Sequence, residues 1–93
     1  MSPAPIVHPP AGDDRQGPIK RSVMIAGHAT SISLEPLFWL ALTEAATAEA
    51  LPLSALVARI DAERIRHPHP ANLASAIRVW LFRRALDAVQ AGG

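Results

Sequence analysis

Between Ile19 and Leu34 the chain reads IKRSVMIAGHATSISL, the one stretch of its 93 residues with strand-forming character. Val23 and Ile25 before Gly27, then Thr30, Ile32 and Leu34 after it, follow a period of two. This reads as one strand, or two short ones broken around Gly27 and His28, where a glycine marks a bulge, a bend or a close backbone approach. A lone strand cannot satisfy its own backbone N–H and C=O groups. Unless the piece before Gly27 folds back on the piece after it, the pairing must come from a second copy, and that is the simpler source. Two copies paired antiparallel would form a ribbon with Ile32 and Leu34 inward and Ser31 and Ser33 outward.

Everything after the strand is helical in pattern. Glu35-Pro36 predicts a helix start, since proline at an early position forfeits no bond and an acid suits the dipole. That helix is expected over Pro36–Ala50, with Phe38, Ala41, Leu42, Ala45 and Glu49 toward the core. Leu37, Trp39 and Leu40 make its first turn apolar on every side, which points to burial against another subunit. Pro52 ends it. A second amphipathic helix follows from Leu53 to Ile65, burying Leu56, Val57 and Ile60, with an Arg59/Glu63 pair on its other face. His67-Pro68-His69-Pro70 breaks the chain again, and Asn72 is a good N-cap for a third helix over Leu73–Val89. This last helix carries two apolar stripes, Ile77/Trp80/Leu81 and Val79/Phe82/Leu86/Val89, and the second implies contacts beyond one subunit.

Composition sets the limits. Five of the nine prolines and two of the five glycines lie between Met1 and Pro18, so residues 1–18 are expected to form a disordered tail and 19–90 a single domain. The remaining core is small for a monomer, which again favours a homodimer. The absence of cysteine removes disulfides, thiolate metal sites and cysteine nucleophiles, and suits a reducing cytoplasm. No run approaches the length of a membrane span and no signal-peptide pattern opens the chain, so neither membrane nor export is expected.

No phosphate loop, nucleophile elbow or zinc-protease motif occurs, and the acids fall mostly on helix faces or in the tail, so no enzymatic activity and no cofactor is expected. His67 and His69, with His8 and His28, are the available metal ligands, but a His-Pro-His loop without an ordered third ligand reads as a solvated turn rather than a metal site. The formal charge of +1 is too balanced for a whole-molecule basic field, so any nucleic-acid contact must rest on a local patch. The best patch is the strand itself: Lys20, Arg21 and His28 with no acid between Ile19 and Leu34, and hydroxyls at Ser22, Thr30, Ser31 and Ser33. A two-stranded ribbon of this kind fits the major groove of B-DNA. Arg78, Arg83 and Arg84 on the third helix read as a solvated face.

The order strand, helix, tight turn, helix resembles the ribbon-helix-helix family, the β-ribbon DNA readers of the MetJ and Arc kind. The run from Arg21 to Trp39 is similar to a branch of short bacterial members carrying RSxxIxGHxTSISLExxFW, and Leu53–Leu56, Ile60–Arg64 and Pro70–Val79 extend the likeness to about Leu86. The resemblance implies a fold that is mainly α with one β-strand per chain, the strand paired antiparallel across a homodimer, with an additional C-terminal helix. It also implies a transcriptional regulator whose ribbon enters the major groove and whose second-helix N-termini hold phosphates. Carried over by position, Ala29, Ser31 and Ser33 would face DNA, and Leu53 and Ser54 would stand at the phosphate-binding helix start. Lys20 and Arg21 would supply backbone contacts, with His28 near the groove.

The chain departs from the family at two points: its ribbon face offers alanine and two serines, and Leu51-Pro52 replaces the usual glycine-containing turn. Asn72–Arg78 also looks like a second-helix start, so the third helix could take that role. The alternative function is a dimeric protein-interaction module that keeps the fold without binding DNA. An antitoxin is a narrower option, although only Gln90–Gly93 remains after the last helix to wrap a toxin.

Overall fold

The computed structural model describes residues 17–92, so nearly all of the expected N-terminal tail lies outside the described residues. The chain holds both strands of its sheet. β1 (Ile19–Ile25) and β2 (His28–Leu34) pair antiparallel from Ile19 opposite Leu34 to Ile25 opposite His28. This corrects the expectation of one strand completed by a second copy. The physical reason lies in Ala26 and Gly27, which both take positive φ, 51° and 84°. A two-residue loop with positive φ at both central positions matches the right-handed twist of the strands it joins, as in a type I′ turn. The piece before Gly27 therefore does fold back on the piece after it, and one chain supplies both strands.

The period-two reading of the faces holds. Val23, Ile25, Ile32 and Leu34 are buried, while Ser31 is exposed and Ser33 half-buried. Beneath this face lie α1 (Pro36–Ala48), α2 (Leu53–Arg64) and α3 (Leu73–Gly92). Pro36 stands at the first position of α1 as expected, and the Glu35 carbonyl accepts the first bonds, from Phe38 N–H at 2.9 Å and Trp39 N–H at 3.1 Å.

α1 is rotated from its expected facing. Trp39, Leu42, Ala45 and Ala46 are its buried residues, Phe38 and Ala41 are half-buried, and Glu49 is exposed just past the helix end. The tryptophan turns inward with its indole Nε1–H satisfied by a half-buried acceptor, donating to the Ile19 carbonyl of β1 over 2.9 Å. Leu37 and Leu40 remain on the exposed side.

The corner between α1 and α2 forms without glycine. The Leu51 N–H bonds back to the Ala46 carbonyl at 2.9 Å and the Ala50 N–H to Thr47 at 3.0 Å, a Schellman closure with Ala50 at φ 56° in the left-handed position. Pro52 then caps α2, whose buried residues are Leu56, Val57 and Ile60, as its periodicity indicates. Arg59, expected to pair with Glu63, bonds Glu49 instead. The N-cap of α3 is as expected: Asn72 Oδ1 accepts the Ser75 N–H at 2.8 Å. Ile77 and Leu81 anchor α3 in the core, with Trp80 packed at its edge.

Candidate nucleic-acid interface

In an antiparallel ladder, residues opposite each other share a face. The register therefore collects Lys20, Ser22 and Met24 of β1 with Ser33, Ser31 and Ala29 of β2 on the side turned away from the helices. The pairs are Lys20 with Ser33, Ser22 with Ser31, and Met24 with Ala29. Ala29, Ser31 and Ser33 thus share the outer face, with Lys20 the cation among them. Ser22, whose hydroxyl the sequence already places in the patch, and Met24 complete this surface; the hairpin register is the signal that finds Met24, and it follows only once the fold-back at Gly27 is known.

Arg21 and His28 lie elsewhere. Arg21 is opposite Ile32 and His28 opposite Ile25, so both have the parity of the core-facing side, although both are exposed. The Arg21 guanidinium stacks over the Trp39 ring, 5.2 Å from its centroid, at the rim of the sheet. His28 stands beside the turn at the hairpin tip.

Leu53 and Ser54 open α2, both half-buried, with Leu53 packed against the core. The Pro52 carbonyl accepts the N–H groups of Ala55 at 3.0 Å and Leu56 at 3.1 Å, which leaves those of Leu53 and Ser54 as donors at the helix start. Because Pro52 is the N-cap rather than a residue of the first turn, it removes neither donor.

Charge pairing separates the hairpin cations from the helix cations. Arg78 donates to Glu35 from Nε at 3.0 Å and approaches it from its terminal nitrogen at 2.9 Å, tying α3 to the start of α1. Glu49 receives Arg84 at 2.8 Å and Arg59 at 3.2 Å, and Arg64 pairs with Asp61 at 2.8 Å. The Glu35 carboxyl is held below its ordinary value of 4.5, first by a hydrogen bond from its own backbone N–H and then by Arg78; Glu49 is held below 4.5 by Arg84 and then Arg59. Among the described residues Lys20 and Arg21 form no ion pair, so the hairpin keeps its positive charge while α3 spends most of its own. His67 and His69 line an open groove with Glu63 and Arg83, and among the described residues no group of three or more His, Cys, Asp or Glu side chains converges on a metal site. No single helix among the described residues is long and apolar enough to cross a membrane.

Comparison with curated proteins and with solved structures finds no match. The family model of the ribbon-helix-helix domain matches residues 18–85, a span from the start of the hairpin into α3. Domains of this family are generally DNA-binding transcription regulators and not typically enzymes. With well over half its length matched, the chain belongs to the ribbon-helix-helix domain family.

Proposed function

We propose that this protein is a dimeric, cytoplasmic DNA-binding transcription regulator that presents the outer face of its β-hairpin to the major groove. The observation that carries the reading is the acid-free hairpin surface: Lys20, Ser22, Ala29, Ser31 and Ser33 share one face, and Lys20 is not neutralised within the described chain. Lysine gives phosphate attraction, and serine hydroxyls contact base edges or phosphates. The Leu53 and Ser54 N–H groups at the start of α2 supply a second phosphate contact, since a helix N-terminus carries partial positive charge. Arg21 and His28 flank this surface at the rim and at the tip. Each strand keeps one edge unpaired within the chain, which is available to a second copy.

The test is an electrophoretic mobility shift with the full chain on its own upstream region and on random duplex, at low and moderate salt. The expected result is preferential binding that weakens as salt rises, and weakens further in Lys20→Ala. No shift with either duplex at micromolar protein and low salt overturns the proposal and favours the protein-interaction module.

A further inference from the structure

The outer face of the hairpin changes character along its length. One end carries Lys20 opposite Ser33, the middle carries Ser22 opposite Ser31, and the end beside the Ala26-Gly27 turn carries Met24 opposite Ala29. Met24 is 56% exposed, and among the described residues every other exposed large apolar side chain stands on a helix or at its end. The alternation that buries Val23 and Ile25 forces Met24 outward, and Ala29 across the ladder is too small to cover it. An apolar contact thus sits at one end of a face that is otherwise hydroxyl and cation, with no acid on it.

In a major groove this side chain has one kind of partner. A methionine side chain donates no hydrogen bond and accepts one only weakly. Set against N7, O6, O4 or an exocyclic amine, it removes water from a polar group without replacing the lost bond. The thymine C5-methyl is the apolar group on the major-groove edge, and covering it withdraws apolar surface from water on both sides. The serines do not discriminate in this way, because a hydroxyl both donates and accepts and suits any base edge. Strands rise about 3.3 Å per residue, so Met24 stands about 6.6 Å along the face from Ser22 and meets a different base pair.

We propose that Met24, backed by the Ala29 methyl, is the specificity-determining residue of the hairpin face and selects thymine through its 5-methyl group. This rests on the reading that the hairpin enters the major groove, and it adds the base preferred and the atoms that read it. Lys20 and the serines hold the duplex, and Met24 chooses among sequences.

The experiment titrates the full chain, in a mobility shift, against its own upstream region amplified with either thymidine or deoxyuridine triphosphate. The two duplexes pair alike and differ by the methyl group. The thymine duplex is expected to bind about fourfold more tightly for each methyl contacted, the scale of burying one such carbon. Met24→Gln is close in length and changes an exposed position, so it should keep the far-ultraviolet circular dichroism of the fold and bind both duplexes equally. Met24→Leu, still apolar, should retain the preference, and Lys20→Ala should weaken both duplexes alike without altering their ratio. Equal binding of the two duplexes by the unaltered chain overturns the proposal while leaving DNA binding in place. So does a preference that survives in Met24→Gln, which would assign it to duplex shape or to another residue. Absence of any shift on either duplex at micromolar protein and low salt overturns the proposal together with the function on which it rests.

Discussion

The Trp39 indole donates to the Ile19 carbonyl over 2.9 Å, linking two residues that lie twenty positions apart and fastening the first residue of β1 to α1. Trp39 is 3% exposed and the bond is partly buried, so solvent replaces it only in part if the donor is lost. Trp39→Phe keeps a ring in place but strands the carbonyl and leaves a small void. We expect a loss of about 1–3 kcal/mol, read as a lower urea midpoint.

Two alanines sit where the backbone favours glycine or asparagine. Ala50, at φ 56°, closes the Schellman turn after α1, and Ala26, at φ 51°, is the first central residue of the hairpin turn. A left-handed alanine is disfavoured by crowding between its Cβ and the neighbouring carbonyl. Ala50→Gly and Ala26→Asn should each stabilise the fold by about 0.5–1 kcal/mol, measured by thermal or urea unfolding. An unchanged or lower midpoint in both variants would refute the strain at these turns.

Acid should loosen the joints among the helices. Glu35 and Glu49 are held below 4.5 in the folded chain and return to about that value on unfolding, so the unfolded state binds more protons. The stability they contribute is complete above pH 4.5 and is lost as pH falls through their lower folded values. Glu49→Gln should flatten this part of the stability profile, because it removes the acceptor shared by Arg84 and Arg59.

Lys20 and Arg21 should separate in their effects. Lys20→Ala is expected to weaken DNA binding on all sequences alike, and to reduce the salt slope by about one, with unchanged stability. Arg21→Ala also uncovers the Trp39 ring, so it should lower stability by about 0.5–1 kcal/mol as well. Equal stability losses in the two variants would contradict the stacking.

Ala29 offers a gain-of-function test. It lies on the outer face opposite Met24 and adds no hydrogen-bonding side chain there. Ala29→Arg should tighten DNA binding by about tenfold, the scale of one good guanidinium contact to guanine. An unaltered dissociation constant would remove this face from the interface.

Much of this architecture is readable before any coordinates. Pro36, Pro52 and Asn72 mark three helix starts through local backbone chemistry, and the alternation around Ile32 and Leu34 gives the buried side of the strand. The fold-back stands only as the alternative to pairing with a second copy, since a turn of Ala26-Gly27 rather than Asn-Gly leaves little trace of its left-handed first residue in the sequence. Trp39 reads as part of a turn buried against another subunit rather than against its own sheet, since its partner is a backbone carbonyl twenty residues away and periodicity is blind to such a bond. At the candidate interface, Ser31 and Ser33 follow from alternation, and Ala29 from the family resemblance. The joining of Lys20 and Ser22 to them, and the diversion of Arg21 to a tryptophan face, depend on register and tertiary packing that one sequence does not display.

Because the hairpin closes over two residues within a single chain, the sheet forms by local diffusion of adjacent segments rather than by collision of two molecules. A newly made copy can bury Ile32 and Leu34 against its own helices at once, so its folding rate is first order and independent of how many copies the cell contains.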